Sequence, residues 1–347
     1  MKTGGFENDS SLKSFKSVEL FAGAGGLALG LEMAKFNTIG LIEIDKNAVC
    51  TLKKNRPQWN IINNDIAEIS PLDLESFFSI SKGELDLLSG GAPCQAFSYA
   101  GKRLGLEDAR GTLFYHYAVF LRKLAPKVFL FENVRGLQSH DKGRTYKIIH
   151  DIFQSEGYTV QTKLLNAWDY NVPQKRERLI MIGIRNELAG KLKINFPQPY
   201  NYKPVLRDIL SDVPPSEGAS YSEYKRSLFE LVPPGGCWRD IPEAIAKKYM
   251  KSCWTMGGGR TGILRRMSLD EPSLTILTSP SQKQTERCHP LEVRPFTIRE
   301  NARCQTFPDN WQFCGSIMQQ YKQIGNAVPV KLGFEIAKEI YKGLINL

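Results

Sequence analysis

Val18-Glu-Leu-Phe21-Ala-Gly23-Ala-Gly25-Gly26-Leu27 decides the fold. A short apolar run closes on clustered glycines and passes into Leu27 to Ala34 at helical spacing, which reads as strand, tight turn and helix. Outward from it the alternation continues. Thr38 to Ile44 reads as strand and Asn47 to Asn55 as helix; Trp59 to Ile62, Leu85 to Leu88 and Val128 to Phe131 read as strands, and Leu113 to Leu124 as helix. Such a sequence predicts an α/β fold, a Rossmann-like parallel sheet with helices on both faces. Tyr158 to Leu165 and Arg178 to Ile184, joined through a loop containing Pro173, predict an antiparallel end to that sheet.

After Arg185 prolines and glycines multiply (Pro214-Pro215, Pro233-Pro-Gly-Gly236, Gly257-Gly-Gly259) and periodicity fades, then regular patterns return at Thr297 to Thr306 and in an amphipathic helix from Val330 to Leu344. The division expected is a polar arm over 1–16, a catalytic and cofactor-binding domain over 17–189 and 298–347, and a smaller loop-rich domain inserted over 190–297. The arm lacks the apolar stretch of a signal peptide, and no run is apolar enough to span a membrane.

The 347 residues, 42% hydrophobic and 24% charged, are enough for a full core. A formal charge of +10 favours a polyanionic partner. Residues 190–297 hold 16 Lys/Arg against 11 Asp/Glu, so the inserted segment carries half of that excess. Seven cysteines (50, 94, 237, 253, 288, 304 and 314) include no C-x-x-C pair, in a chain that needs no covalent staples; reduced thiols and a cytoplasmic setting are expected. Cys288 and His289 stand next to each other without further ligands, so no metal is expected.

The glycine-rich turn places free N–H groups of a helix N-terminus where a ligand can approach. Its spacing is not G-x-G-x-x-G, and no Walker lysine follows. Twenty residues after Gly23, Glu43 closes the second strand, placed to accept bonds from two ribose hydroxyls. Asp65 follows the third strand, placed for an adenine amino group. Acids on successive strand ends suit a nucleoside bearing an amino acid better than a pyrophosphate, and S-adenosyl-L-methionine is the natural candidate. On the next strand end, Gly90-Gly-Ala-Pro93-Cys94-Gln95 puts a thiol in a Gly/Pro loop. A nucleophile reacting as its thiolate and a small buried cysteine both fit that loop taken alone.

With these blocks the chain resembles the C5-cytosine DNA methyltransferases of restriction-modification systems. The resemblance runs in order through Phe21-Ala-Gly-Ala-Gly25, Pro93-Cys-Gln95, Glu132-Asn-Val134, Gln174-Lys-Arg176-Glu-Arg178, Arg294-Pro-Phe-Thr-Ile-Arg299-Glu300 and Gly325-Asn326-Ala-Val328. It implies a catalytic set of Cys94, Glu132, Arg176 and Arg178. Cys94 attacks carbon 6 of cytosine, Glu132 serves ring N3, Arg178 contacts O2, and Arg176 helps hold the catalytic loop or a phosphate. It also implies a cofactor site of Phe21, Gly23, Gly25, Glu43, Asp65, Pro93, Thr112 and Asn326. The partner implied is double-stranded DNA with a flipped cytosine, bound by a monomer that is bacterial or phage-encoded, with no membrane involved; the spent cofactor is S-adenosyl-L-homocysteine. Ser98 to Gly111, which includes Arg103, corresponds to the loop that closes over DNA, and 190–252 to the variable target-recognition region. Arginine and glutamine suit base edges, so Arg260, Arg265, Arg266, Gln282, Lys283, Gln284 and Arg287 are the candidate DNA contacts; Arg294 and Arg299 are expected to organise the second domain. The RNA-modifying branch of the family is the nearest rival, but its Cys-Phe-Thr tripeptide is missing. A catalytically silent DNA binder conflicts with intact Cys94, Glu132 and Arg178, and a nicotinamide oxidoreductase with the glycine spacing.

Overall fold

The computed structural model describes residues 13–92, 112–255, 260–280, 282 and 285–347. Strands β1 (Phe15–Leu20), β2 (Phe36–Ile42), β3 (Ile61–Ile62), β4 (Leu87–Gly90), β5 (Val128–Val134), β6 (Tyr158–Asn166), β7 (Gln174–Lys175), β8 (Glu177–Arg185) and β9 (Ser273–Leu274) form two sheets. The larger has the order β3-β2-β1-β4-β5-β8-β6. Its first five strands are parallel, and β8 runs antiparallel to both β5 and β6, which gives the antiparallel end expected. The strand order reverses between β1 and β4, and in an open α/β sheet ligands bind in the crevice at the carboxyl ends of such strands.

Helices α1 (Gly26–Met33), α2 (Lys46–Asn55), α3 (Ile66–Ile69), α4 (Leu74–Phe78), α5 (Leu113–Leu124) and α6 (Arg144–Ser155) alternate with the strands. α7 (Arg207–Leu210), α8 (Glu223–Glu230) and α9 (Glu243–Met250) lie in the inserted segment; α10 (Ile298–Cys304), α11 (Ile317–Asn326) and α12 (Val330–Ile345) follow it. The side-chain alternation of a strand divides the core in two. Val128 and Leu130 of β5 pack with Leu27 and Leu31 of α1 and Leu332, Ile336 and Ile340 of α12. Phe129 and Phe131 face the other way, onto Phe114, Tyr117 and Leu121 of α5 and Ile149 and Phe153 of α6. The Phe129 ring lies 4.3 Å from Phe153 and 5.2 Å from Tyr158, centroid to centroid, and is fully buried. Phe129→Ala is expected to lower unfolding free energy by about 3–5 kcal/mol through cavity formation, read as a lower midpoint with unchanged slope in urea denaturation.

The helix ends follow their sequence. Thr112 caps α5, with Arg122 and Lys123 in its last turn, where cations oppose the negative end of the helix dipole. Thr297 and Glu300 form a reciprocal capping box on α10.

Three features differ from expectation. β1 begins at Phe15, so Phe15 and Lys16 belong to the sheet and not to an arm ending at 16. The insertion's own apolar cluster is drawn from Leu228 to Cys288. By contrast, Leu192 and Ile194 pack on the α12 face of the sheet, and Leu206, Ile209, Met267, Ile276 and Phe296 join the cluster around α10 and α11. Finally, Cys50 and Cys314 are joined as a disulfide, Cα atoms 5.8 Å apart, where reduced thiols were expected. Hydrogen bonds between α2 and the approach to α11 bring them together: Thr51 Oγ1 donates to Gln323 Oε1 at 2.6 Å, Cys314 N to Thr51 Oγ1 at 2.9 Å, and Asn55 Nδ2 to the Gln312 carbonyl at 2.7 Å.

Among the described residues, no helix is long and apolar enough to cross a membrane, and no group of three or more His, Cys, Asp or Glu is placed to hold a metal.

Candidate active site

A cleft of about 1060 Å³ opens at the carboxyl ends of β1, β2, β4 and β5, at the point where the strand order reverses. Phe21, Gly23, Glu43, Asp65, Glu132, Arg176, Arg178 and Asn326 all line it, so the structure gathers most of the catalytic and cofactor candidates into one place. Pro93, Cys94 and Arg103 lie outside the described residues.

One end of the cleft is built by the glycine turn. Phe21 leaves β1 with φ +58, and Gly25 caps α1 with φ +84; a Cβ at Gly25 would stand 2.6 Å from Leu52 Cδ2, so position 25 favours glycine. Glu43 accepts the Gly23 N–H and the Asp45 N–H, each at 2.7 Å, which fixes its carboxylate at the turn. Asp65 caps α3 by accepting the Ala67 N–H at 2.8 Å. Thr112 accepts the Tyr115 N–H at 3.2 Å as the cap of α5, and its neighbour Leu113 faces the cleft.

Glu19, which the sequence reading passed over, is the most telling group at this end. It is 2% exposed, lines the cleft, and its Oε2 has no hydrogen-bond partner. Burial raises its pKa well above the ordinary carboxylate range; the Ala28 N–H opposes that shift and the neighbouring Glu43 charge adds to it. The signal in the sequence is an acid between Val18 and Leu20, where a buried strand should be apolar on both faces.

The other end holds Glu132 and Arg178. In the antiparallel ladder Glu132 pairs with Ile180 and Val134 with Arg178, so Glu132 and Arg178 are diagonal neighbours on one face. Arg178 Nε lies 2.7 Å from Glu132 Oε1, with side chains 11% and 16% exposed, close enough to act as one unit yet open to the cleft. The loop that leads to Cys94 is drawn tightly against them. Asn133 Nδ2 donates to the Ala92 carbonyl at 3.0 Å. A Cβ at Gly91 would meet Glu132 Oε2 at 2.7 Å and the Glu132 carbonyl at 2.8 Å, so glycine lets the backbone pass beside the acid.

Arg176 is held differently from Arg178. It shares the cleft with Arg178, as two residues at strand spacing should, but it is 1% exposed, its two terminal nitrogens are spent on the backbone and its Nε is buried without a partner. Nη1 donates to the Ile276 carbonyl at 3.2 Å, and Nη2 to the Gly325 and Ala327 carbonyls at 2.8 and 2.9 Å. Burial, then the charge of Arg178, pull its pKa well below the usual guanidinium range, with Glu132 opposing. It braces the two residues flanking Asn326. Gln174 and Gln305 complete the brace: Gln174 Nε2 donates to Gln305 Oε1 at 2.9 Å and accepts from Ile276 N through Oε1 at 2.8 Å, and Gln305 Nε2 donates to the Ile324 carbonyl at 2.7 Å.

None of the described DNA candidates lines the cleft. Arg265 pairs with Glu271 at 3.2 Å, Arg266 donates to the Val232 carbonyl at 3.0 Å, and Arg287 to the Glu286 carbonyl at 2.8 Å. Arg260 adopts φ +45 and its carbonyl receives Trp238 Nε1 at 3.1 Å; Gln282 is exposed and accepts from Thr285 Oγ1. Lys283 and Gln284 lie outside the described residues. Arg294 grips Glu300 through two bonds of 2.7 and 2.8 Å, while Arg299 donates to the Pro308 and Trp311 carbonyls at 3.0 and 2.7 Å.

The family model described as C-5 cytosine-specific DNA methylase matches residues 15–342. The Type II methyltransferase M.Sau96I of Staphylococcus aureus is 56% identical over 330 residues, covering 94% of this chain and 76% of the relative. The Type II methyltransferase M.Eco47II of Escherichia coli is 51% identical over 342 residues, covering 96% and 80%. Among solved structures, the methyltransferase EhMeth of Entamoeba histolytica superposes with a TM-score of 0.65 at 17% identity, covering 96% of this chain and 99% of that one, a likeness of fold.

Proposed function

The chain belongs to the C-5 cytosine-specific DNA methylases, and from that premise we propose that it methylates one cytosine within a short, specific double-stranded DNA sequence, acting on a base rotated out of the helix. It is a cytosine-5 methyltransferase of the restriction-modification type, and members of the family use S-adenosyl-L-methionine. Protection of host DNA from a cognate nuclease, by a chain acting as a monomer, completes the reading.

The cleft suits that cofactor, because the buried Glu19 that lines it has a carboxyl oxygen without a protein partner, and the methionyl ammonium would donate to that oxygen and favour its charged form. Glu43 would take the ribose hydroxyls, Asp65 the adenine amino group and Phe21 the adenine face, with Asn326 towards the methionyl end. When bound, S-adenosyl-L-methionine supplies an electrophilic methyl group and leaves as S-adenosyl-L-homocysteine. The chain's residues do the remainder. Cytosine carbon 5 is a poor nucleophile until a thiolate adds to carbon 6, the part given to Cys94. Glu132 supplies a proton or hydrogen bond to N3 as the ring takes up electron density, and Arg178 orients the base through O2. After methyl transfer, water or hydroxide takes the carbon 5 proton, and the electrons of that C–H bond restore the ring double bond and expel the Cys94 thiolate from carbon 6.

The observation that carries this reading is the Glu132–Arg178 pair, open to the cleft and beside the Gly91 backbone that leads to Cys94. Bisulfite sequencing of a random-sequence duplex, after incubation with the protein and S-adenosyl-L-methionine, tests it. One cytosine in a fixed motif should be protected, and the protection should vanish with Cys94→Ala; an unprotected library would overturn the DNA assignment. Glu43→Ala is expected to raise the KM for S-adenosyl-L-methionine by about 10- to 100-fold, the loss of charge-assisted hydrogen bonds, with a smaller fall in kcat. Steady-state kinetics check this, and an unchanged KM removes Glu43 from the ribose site.

A further inference from the structure

The Cys50–Cys314 disulfide lies on a seam that also walls the cleft. Two distant parts of the chain meet there: α2, which follows β2, and the segment from Gln312 through α11, which follows the insertion. Asn55 holds Gln312 twice, donating from Nδ2 to its carbonyl at 2.7 Å and accepting its N–H at 2.8 Å. Gln323 Nε2 donates to the Cys314 carbonyl at 2.8 Å, and the Thr51 hydroxyl links the Cys314 N–H to Gln323 Oε1. Thr51 and Gln323 are buried, so their bonds lie inside the seam. Cys50 is exposed and Cys314 half-buried, which puts the sulfurs at its outer edge.

Both sides of the seam continue into the cleft. Asp45 and Ala48 line it from the α2 side, and Met318, Gln319, Lys322 and Gln323 from the α11 side. Lys322 Nζ reaches across to Asp45 at 3.6 Å. Asp45 N is in turn one of the two donors that fix the Glu43 carboxylate. Whatever holds the seam shut therefore sets the spacing of the groups around the proposed ribose site.

A chain of this size needs no covalent staple, and an exposed disulfide is the kind that small thiols open. We propose that Cys50 and Cys314 form a redox clasp on the cofactor site: joined, they keep the α2 and α11 walls together and tighten binding of S-adenosyl-L-methionine; as thiols, they leave the seam to its hydrogen bonds and the cofactor exchanges faster. This rests on the reading of the cleft as the S-adenosyl-L-methionine site. Closure consumes a small disulfide such as oxidised glutathione. The exposed Cys50 thiolate attacks one of its sulfurs and expels a glutathione thiolate; the Cys314 thiolate then attacks Cys50 Sγ in the mixed disulfide and expels the second. Two electrons pass from the protein to glutathione, and the two protons of the protein thiols end on the glutathione thiolates. The gain in affinity is one of population. A site formed in only a fraction of the molecules loses affinity by that fraction, and a cross-link that removes the open states restores it. By linkage, bound cofactor must favour the disulfide by the same factor.

The test measures the affinity of the full chain for S-adenosyl-L-homocysteine by calorimetry after equilibration with reduced or oxidised glutathione, with peptide mass mapping to follow the Cys50–Cys314 link. The oxidised protein should bind at least about 5-fold more tightly, the lower end of ordinary coupling between sites. Saturating S-adenosyl-L-homocysteine should shift the thiol–disulfide equilibrium of the pair, in a glutathione buffer, by that same factor. Cys50→Ser, which keeps every other thiol, should bind like the reduced protein in both buffers. A disulfide that serves stability alone would raise the thermal midpoint and leave the affinity and the equilibrium unmoved; that result overturns the proposal, as does failure of the pair to join in oxidised glutathione. Should Cys50→Ser not fold, the two states of the unmodified protein still decide. Binding of S-adenosyl-L-homocysteine by neither state overturns the cofactor reading as well.

Discussion

Cys94→Ala is expected to abolish methyl transfer, by at least about 10⁴-fold or ~5.5 kcal/mol of barrier, while duplex binding persists. No other group in the proposed mechanism turns carbon 5 into a nucleophile, so the loss should fall on the chemical step and not on affinity. Gly91 and Ala92, immediately before the Pro93-Cys94 loop, are fastened to the end of β5 by the Asn133 bond and by backbone contact with Glu132. A duplex carrying 5-fluorocytosine at the target gives a second readout, because an adduct at carbon 6 cannot expel fluorine as it would a proton. The intact protein should accumulate a covalent complex stable to denaturant and the alanine variant none. Near-normal turnover by Cys94→Ala would refute the covalent route.

Glu132→Gln is expected to slow the reaction by about 10²- to 10⁴-fold, the range for a lost general acid. The amide keeps the shape and can still accept from Arg178 Nε across the 2.7 Å contact, so the fold and the orientation of Arg178 should survive. Exchange of the carbon 5 proton into water, without methyl transfer, isolates formation of the carbon 6 adduct. If Glu132 assists that addition, exchange falls in step with kcat. Normal exchange with slow methylation would place Glu132 outside the addition step.

What the sequence disclosed follows the range of the interactions involved. The β1 turn, Glu43 and the Glu132–Arg178 pair are set by strand alternation and strand ends, which a local pattern encodes. Arg176 sits in the same Gln-Lys-Arg-Glu-Arg run as Arg178, yet its acceptors are Ile276, Gly325 and Ala327, 100 to 151 positions away. Nothing local separates an arginine turned inward to brace the backbone from one open to the cleft. The Cys50–Cys314 pairing, 264 positions apart, is hidden for the same reason. α11 escaped notice because Ile317–Asn326 is largely polar and ends in glycine and asparagine. Glu19 was legible, but an acid inside an apolar strand is easily passed over beside a glycine-rich turn.

The packing of α12 on α1 also sets the order in which the protein is completed. α1 ends at Met33 and α12 begins at Val330, so a chain leaving the ribosome at about 5–20 residues per second waits on the order of 15–60 s for its closing helix. Throughout that interval Leu27 and Leu31, and Val128 and Leu130 once they emerge, lack the α12 surface that covers them. The nascent first half is thus expected to expose apolar surface that favours aggregation, and a host that translates the message slowly should recover less of this enzyme in soluble form.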